Sequence, residues 1–320
     1  MTVLVLSEEL DPTVDRVVAA MTEQGVPVFR CDTGWFPARL TLRGTLEGER
    51  WTGALHTAHR QVDLEQVHAV WYRRPTAFTL PPELPEAERS HAIGEARFGL
   101  GGVLASLPAY WMNHPGHEAD AVYKPRQLAA AARCGLAVPR TLITNDPAAV
   151  RTFAAGIAGP VVTKMLGSNI RVDEDRWRVA HTRLLTEGDL ADLAGVEATA
   201  HLFQEWVDKA YEARVVAVDG QLFTVGIHAG SAAARIDWRA DYGALRYTVQ
   251  APPPGVAAGL HRFMEVFGLS YAAFDFVIDP EGRWVFLECN PGGQYGWLEG
   301  HTGLPITAAI AGALARGGRP

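Results

Sequence analysis

Three oxygen-bearing side chains near the end of the chain have types and a spacing that suit a metal ion. Asp275 lies in one apolar stretch, and Glu288 and Asn290 lie two residues apart in the next, across a turn predicted at residues 279–282. Because residues i and i+2 of a strand share a face, a hairpin brings Asp275 roughly opposite Glu288. Mg²⁺ usually takes one or two carboxylates together with nucleotide phosphates. The alternative is that these acids pair with arginines, but their apolar surroundings make buried acids costly and favour the metal site.

Two lysines could supply positive charge for phosphates. Lys164 ends an apolar stretch and precedes a loop of small residues, and Lys124 opens a predicted helix earlier in the chain. Either lysine alone is more simply explained as a surface charge, whereas the two together suggest a phosphate clamp within one lobe. The chain contains neither GxxxxGKS/T nor GxGxxG, so neither a P-loop nor a Rossmann dinucleotide site is supported.

A further group of residues could hold the nucleoside. A run of polar, acidic and apolar residues at a predicted lobe junction could present its backbone to the edge of an adenine; it comprises Gln204, Glu205, Trp206 and Val207. Glu212 and Arg214 share a face of the next predicted strand. Glu212 could therefore hold a ribose hydroxyl, while Arg214 faces phosphate or substrate.

Arg235 and Arg239 lie in a predicted loop between two strands. A guanidinium group pairs with a carboxylate through two parallel hydrogen bonds, so these arginines could neutralise a carboxylate that is being phosphorylated. The alternative is a solvated charge cluster with no part in chemistry.

The elements that must position these side chains predict an α/β protein, with α+β lobes, in three parts. In residues 1–115, short apolar strands alternate with helices. In residues 116–200, a helix over residues 124–134 ends at Gly135, Asn145-Asp146-Pro147 predicts a second helix start, and residues 177–183 are a predicted strand. Residues 201–320 are rich in strands, with a strong hairpin signal at Asp219-Gly220.

The bulk properties exclude several classes of protein. Of 320 residues, 48% are hydrophobic and 20% charged, which is typical of a soluble globular enzyme. The net charge of −7, without a basic stripe, argues against a nucleic-acid partner. No apolar stretch reaches the ~20 residues that cross a bilayer, so no membrane role is expected. The three cysteines are far apart and lack metal spacing, which predicts a reduced, cytoplasmic setting.

Taken in chain order, these segments resemble the ATP-grasp superfamily near its glutamate ligases. They are Lys124, residues 135–141, residues 159–164, residues 204–207, Glu212-Ala213-Arg214, Asp275 and Glu288-Cys289-Asn290-Pro291. A narrower resemblance is to the microviridin-type macrocyclases of omega-ester-containing peptides (graspetides), especially their actinobacterial relatives. It is carried by Trp71-Tyr72-Arg73-Arg74-Pro75, Asn113-His114-Pro115, Thr144-Asn145-Asp146-Pro147 and Asp237-Trp238-Arg239.

This resemblance implies an ATP-grasp fold that holds the nucleotide between the central and C-terminal lobes. With ATP and Mg²⁺, the enzyme would turn an Asp or Glu side chain of a ribosomally made precursor peptide into an acyl-phosphate and release ADP. A Ser or Thr hydroxyl or a Lys amine of the same peptide would then close an ω-ester or ω-amide ring. The expected partner is a peptide with a leader and an acidic core. Relatives often pair as homodimers, so a homodimer is a further expectation.

The resemblance also implies roles for the matching positions. Lys124 and Lys164 would contact the phosphates, and Glu212 would contact the ribose. The adenine would contact four consecutive residues, Gln204, Glu205, Trp206 and Val207, and Mg²⁺ would be bound by Asp275, Glu288 and Asn290. Arg214 and Arg239 would contact the acyl-phosphate, with Arg235 as a weaker candidate. Arg73 and Arg74 could face the acidic core peptide or simply brace the interface between lobes. Because water must be kept from an acyl-phosphate, Gly167-Ser168-Asn169 is expected to act as a lid.

Two other functions stay open. One is a ligase that joins a free amino acid or small peptide to a carboxylate, as glutathione-synthetase relatives do; a neighbouring precursor gene would distinguish it from a macrocyclase. The other is a non-catalytic ATP-binding regulator, against which the retained acids and lysines argue.

Overall fold

The structure, a computed structural model, describes residues 1–167, 170–173, 176–179 and 182–318. Its strands are β1 Thr2–Ser7, β2 Val28–Cys31, β3 Thr41–Glu47, β4 Arg50–His56, β5 Gln61–Asp63, β6 Val67–Arg73, β7 Tyr110–Met112, β8 Thr141–Thr144, β9 Val161–Lys164, β10 Ile170–Asp173, β11 Arg176–Val179, β12 Arg183–Leu184, β13 His201–Glu205, β14 Tyr211–Val218, β15 Gln221–Ala229, β16 Leu245–Gln250, β17 Tyr271–Ile278 and β18 Trp284–Asn290. Its α-helices are α1 Pro12–Glu23, α2 Glu86–Ala105, α3 Pro115–Ala121, α4 Lys124–Arg133, α5 Pro147–Ala155, α6 Glu187–Ala191, α7 Ala232–Ile236, α8 Pro254–Phe267, α9 Gly296–Thr302 and α10 Ile306–Arg316. None of these helices is long and apolar enough to cross a bilayer.

The N-terminal part is built on a parallel sheet in the order β2-β1-β6-β7. Both faces of this sheet are covered, as expected for parallel strands. Along β1, Val3 and Val5 join a core with α1 and α10, whereas Leu4 and Leu6 join a core with α2 on the opposite face. Strands β3, β4 and β5 form a separate antiparallel sheet. The predicted alternation of strands and helices in this region is confirmed.

The central part is a small antiparallel sheet in the order β12-β9-β13-β8, with a separate β10–β11 hairpin. Its core is small and includes Val150 of α5, Val161 of β9 and Phe203 of β13. Helix α5 begins where the sequence predicts, because the Asp146 side chain accepts a hydrogen bond from the Ala148 N–H. The prediction of one strand over residues 177–183 is wrong in extent. Strand β11 ends at Val179, residues 180 and 181 lie outside the described ranges, and β12 pairs with β9.

The C-terminal part is a five-stranded antiparallel sheet in the order β16-β15-β14-β17-β18. The predicted hairpin between β14 and β15 is confirmed; its turn residues Asp219 and Gly220 have φ values of 46° and 80°. Two positive φ angles in succession are typical of the type I′ turn, whose twist matches that of the flanking strands. The sequence predicts a loop over residues 235–239, where the structure has the end of α7 and a 3₁₀ turn at Trp238–Ala240.

Helix α4 packs on the C-terminal sheet. Its buried residues Leu128, Ala130 and Ala131 share a core with Phe274 of β17 and Phe286 of β18. The sequence predicts this helix in the central lobe, whereas its packing partners belong to the C-terminal sheet. This packing matters for the site, because it fixes the first turn of α4 beside β18.

Asn113, which follows β7, joins the N-terminal sheet to the C-terminal sheet. Its side chain is buried, and its Nδ2 donates to the carbonyl oxygens of Tyr271 and Pro291, each at 2.9 Å. Its Oδ1 accepts from the backbone N–H groups of Ser270 and Tyr271 at 2.8 and 2.9 Å. A single amide therefore satisfies backbone groups at the start of β17 and just beyond the end of β18.

We expect Asn113→Ala to lower the free energy of unfolding by about 2–4 kcal/mol, because four backbone groups, three of them in buried hydrogen bonds, lose their partner. Asn145→Ala, at an exposed position, is the matched control and should stay within about 0.5 kcal/mol of the parent protein. Urea denaturation followed by fluorescence measures both. Equal midpoints for the two variants would contradict this role of Asn113.

Candidate active site

One cleft of about 810 Å³ lies where the central and C-terminal sheets meet, with Arg74 of the N-terminal part at its rim. This volume lies within the range of small-molecule sites. All of the sequence-predicted site residues except Arg235 line it: Lys124, Lys164, Gln204, Glu205, Trp206, Val207, Glu212, Arg214, Arg239, Asp275, Glu288 and Asn290. The structure therefore brings together residues that are far apart in the sequence.

The predicted pair of acids meets across the β17–β18 hairpin. Asp275 is in register with Glu288, and a bulge after Asp275 leaves Leu287 without a partner, so that Phe276 pairs with Phe286. Asp275 is 4% exposed, and Phe274 and Phe276 on either side of it are buried. The hairpin thus holds two carboxylates together at the edge of an apolar core.

Three cations contact the two acids. Arg214 Nη1 donates to both carboxylate oxygens of Asp275, at 2.8 and 3.0 Å. Lys124 Nζ lies 2.9 Å from Glu288 Oε2. Arg239 Nη2 lies between the acids, 3.3 Å from Asp275 Oδ2 and 3.4 Å from Glu288 Oε1. The arginine pairing that the sequence left as an alternative is therefore present. Only the Arg214–Asp275 pair is buried on both sides, and removing one partner of such a pair typically costs about 3–5 kcal/mol.

The two acids differ in how their surroundings shift their pKa values. Burial raises the pKa of Asp275, although Arg214 and Arg239 act in the opposite direction. Burial also disfavours the Glu288 anion, but Lys124, Lys164 and Arg239 outweigh it and hold the pKa of Glu288 below its usual range. Glu288 is therefore an anion at neutral pH.

Lys164 lies at the end of β9 with an altered pKa. Burial lowers the pKa of its ammonium to about 8, with Glu288 acting against that shift and Lys124 adding to it. The lysine stays largely charged at neutral pH. Its charge and that of Lys124 act on the same carboxylate, which supports the predicted pairing of the two lysines.

The residues predicted to bind Mg²⁺ fit a site that needs further oxygen atoms from a ligand. Asn290 Nδ2 lies 3.4 Å from Asp275 Oδ2 and 3.5 Å from Glu288 Oε1. A half-turn of this amide would present Oδ1 beside the same two carboxylates. Within the described ranges, no group of three or more His, Cys, Asp or Glu residues is arranged to hold a metal. Two carboxylates plus phosphates and water are the usual Mg²⁺ set.

The residues predicted to contact adenine form one wall of the cleft, and two of their side chains are used within the protein. Gln204 Nε2 donates to Thr141 Oγ1 at 2.8 Å, and Glu205 Oε1 accepts from the Arg140 N–H at 2.9 Å. The Trp206 N–H donates to the Pro160 carbonyl oxygen at 2.8 Å. These bonds fix the position of residues 204–206, and Val207, the next residue, also lines the cleft.

Lys209 is a cleft residue that the sequence analysis missed. Its side chain is buried, and its Nζ forms an ion pair with Glu212 Oε1 and donates to the Ile236 carbonyl oxygen at 3.2 Å. The ammonium also lies 4.9 Å from the centre of the Trp206 ring. Burial raises the pKa of Glu212, and Lys209 opposes the shift. The sequence carried no signal for this pair, because Lys209 precedes β14 and residues three apart along an extended chain do not share a face.

Arg235 does not line the cleft. Its side chain is 60% exposed. Its Nη2 lies 3.7 Å from Asp208 Oδ1 and donates to the Lys209 carbonyl oxygen at 3.1 Å. Arg235 lies in the last turn of α7, which ends at Ile236, whereas Arg239 lies in the 3₁₀ turn that follows, so the two side chains are directed to different places. The solvated arrangement that the sequence left open applies to Arg235, and Arg239 is the arginine that reaches the acids.

The two consecutive arginines after β6 are placed differently. Arg73 is buried, and it donates to the Gly292 carbonyl oxygen at 2.5 Å and to Gln294 Oε1 at 2.7 Å, which braces the lobe interface. Arg74 has a φ of 52°, which is uncommon for a residue with a side chain, and it lines the cleft while donating to the same Gly292 oxygen at 2.8 Å.

Of the predicted lid, Gly167 lines the cleft, and Ser168 and Asn169 lie outside the described residues.

An aromatic wall closes another side of the cleft; of its residues, only Trp238 was singled out from the sequence, and without a role of its own. The ring centres of Trp238 and Trp297 are 5.0 Å apart, and Tyr242 meets Trp238 edge-to-face at 5.6 Å. These residues come from the turn after α7 and from α9, which pack together only in the folded chain.

Known proteins with this fold identify the family. The family model of the MvdD pre-ATP grasp domain matches residues 2–119. The macrocyclase MdnC from Microcystis aeruginosa MRC, solved with its precursor peptide MdnA, is 31% identical over 99% of this chain and 100% of that chain, with a TM-score of 0.86. The macrocyclase MdnB from the same organism is 32% identical over 98% of each chain, with a TM-score of 0.81.

A third similar structure is an ATP-grasp ligase from Chryseobacterium gregarium, described as RiPP-associated and solved with ADP and a leader and core peptide. It is 26% identical over 98% of this chain and 96% of that chain, with a TM-score of 0.90. No match was found among curated proteins. The identity to MdnC and MdnB extends over nearly the whole length of each chain, and the chain therefore belongs to the ATP-grasp macrocyclase family that includes them.

Proposed function

We propose that this enzyme is an ATP-dependent graspetide macrocyclase. It phosphorylates Asp or Glu side chains of a ribosomally made precursor peptide and closes ω-ester or ω-amide rings with Ser, Thr or Lys. The observation that carries the proposal is the in-register pair Asp275 and Glu288, contacted by Lys124, Arg214 and Arg239 at the base of the cleft. This arrangement suits the transfer of a phosphoryl group to a carboxylate, because the cations offset the negative charge of both groups.

In this proposal the nucleotide lies between the central and C-terminal parts. Residues 204–207 meet the adenine, Glu212 with its partner Lys209 meets the ribose, and Lys124 and Lys164 meet the phosphates. Asp275, Glu288 and Asn290 would hold Mg²⁺, which neutralises phosphate charge when it is bound. The division into residues 1–115, 116–200 and 201–320 is part of the same proposal, with helix α4 of the middle segment packed on the C-terminal sheet.

The arginines have the task of making a carboxylate reactive. A peptide carboxylate is a poor electrophile, and its anion must approach a phosphate that is also negative. Arg214 and Arg239 place positive charge beside Asp275, where the acyl-phosphate oxygens would lie. Fixed charges of this kind stabilise the transition state without having to reorganise.

The proposed partner is a precursor peptide with a leader and an acidic core, and Arg74 at the rim of the cleft offers it positive charge. Ring closure within one bound peptide also gains from proximity, worth up to about 7–11 kcal/mol for ideal geometry.

The actinobacterial branch, the cytoplasmic location and the homodimer stay predictions. Light scattering of the purified protein tests whether it is a homodimer.

We expect a co-expressed precursor peptide to lose the mass of one water for each ring closed, and only when the active enzyme and ATP are present. Mass spectrometry measures this loss directly, and mild base distinguishes esters from amides. An unchanged peptide, with ATP consumed when free amino acids are supplied, would instead indicate a small-molecule ligase. A peptide unchanged without any ATP turnover would favour the non-catalytic alternative.

Glu288→Gln should lower ATP turnover by about two orders of magnitude or more while the fold stays intact, because the site loses a charged metal ligand. Glu281→Gln is the matched control, since its carboxylate is 69% exposed in the turn of the same hairpin. ADP release at saturating Mg²⁺ measures both variants. Near-parental turnover in Glu288→Gln would remove Glu288 from the metal site.

Arg239→Ala should impair peptide modification by about 100-fold while ADP affinity changes little, because its charge serves the acyl group more than the nucleotide. Arg235→Ala, at the exposed position four residues earlier, should retain both properties. Ring formation is followed by mass spectrometry and ADP affinity by calorimetry. Equal losses of ring formation and ADP affinity in Arg239→Ala would assign Arg239 to the nucleotide instead.

A further inference from the structure

Most acids that line the cleft already have a strong partner. The pairs are Glu205 with the Arg140 N–H, Glu212 with Lys209, Asp237 with Arg239, Asp275 with Arg214, and Glu288 with Lys124. Glu118, in the first turn of α3, is the exception. Among the described residues, no cation lies within 4.0 Å of its carboxylate, although the side chain lines the cleft and is half-buried.

The hydrogen bonding around Glu118 leaves its carboxylate weakly held. Its Oε1 lies 3.4 Å from Asn113 Nδ2. That amide group has two hydrogens, and both already serve shorter bonds of 2.9 Å to the Tyr271 and Pro291 carbonyl oxygens. Glu118 therefore keeps lone pairs that could accept a proton from a group in the cleft.

Glu118 and Arg214 border the same stretch of backbone. A methyl group added at Gly292 would lie 3.8 Å from Glu118 Oε1, and one added at Gly293 would lie 2.9 Å from Arg214 Nη2. These glycines directly follow the Asn290-Pro291 end of the metal hairpin. Glu118 and Arg214 thus both line the cleft beside the backbone that follows the metal hairpin, where the acyl group is proposed to lie.

We propose that Glu118 is the general base that accepts the proton of the attacking hydroxyl or amine during ring closure. This inference rests on the proposed function. As the nucleophile's oxygen or nitrogen bonds to the acyl carbon, its proton moves to the Glu118 carboxylate. The bond between the acyl carbon and the phosphate oxygen then breaks, and inorganic phosphate leaves with the electron pair.

The titration of Glu118 suits this task. Burial raises its pKa to about 7, while Asn113, Arg73 and Arg74 act in the opposite direction. A base works best when its pKa is near the working pH. Below about pH 7 the carboxyl is protonated and cannot accept a proton, so ring closure should rise as pH rises through 7. The other titratable groups that interact with it, Tyr72 and Cys289, have raised pKa values and stay neutral there.

The test separates acyl-phosphate formation from its capture. Hydroxylamine attacks an acyl-phosphate without needing a protein base, and it gives a hydroxamate on the peptide. We expect Glu118→Gln to close rings about 100-fold more slowly while it forms hydroxamate at near the parental rate. Glu118→Asp should restore part of the ring closure and keep its rise with pH. Asp120→Asn, in the same helix, is the matched control and should behave like the parent, because the Asp120 carboxylate is 42% exposed and pairs with Arg126.

Ring closure by Glu118→Gln within a few-fold of the parental rate would overturn the proposal. So would loss of both rings and hydroxamate in a variant that still binds ADP, since that result would assign Glu118 to an earlier step. If Glu118→Gln does not fold, the parental pH profile decides: a ring-closure rate that does not rise through about pH 7, relative to hydroxamate formation, would also overturn it. Absence of rings and hydroxamate with the parental enzyme would instead contradict the macrocyclase function itself.

Discussion

The neutralisation of two adjacent carboxylates, one buried and one half-buried, is the constraint on which the site depends. Asp275 and Glu288 face each other across one hairpin, and acids removed from water in this way are costly unless cations pair with them. Those cations come from separate parts of the chain: Lys124 from α4, Arg214 from β14 and Arg239 from the turn after α7. The acid pair therefore determines how these elements must converge.

The same contacts connect the lobes around the cleft. Lys124 Nζ contacts Glu288 and also donates to the Met165 carbonyl oxygen at 3.0 Å, so it joins the hairpin to the loop after β9. On the other side, Arg73 and Asn113 tie the N-terminal sheet to the backbone just after β18. A ligand that contacts the hairpin thus touches a point where all parts of the chain meet.

Much of this site could be predicted because its main feature is local. A two-residue periodicity and one turn place Asp275 opposite Glu288, and a register shift of one residue would have turned one acid away from the other. The difference between Arg235 and Arg239 was not predictable, because it depends on a one-turn helix capped by Ser231. Glu118 had no signal at all, since its surroundings come from β6, the end of β7 and the backbone after β18, which are far apart in the sequence.

A crystal structure of the protein with ADP and Mg²⁺ would show whether the β17–β18 hairpin holds the metal. We expect a metal ion bound by the carboxylates of Asp275 and Glu288 and by Asn290 Oδ1, with phosphate oxygens completing its coordination and the adenine against residues 204–207. A metal bound elsewhere, or a nucleotide that does not contact this hairpin, would contradict it.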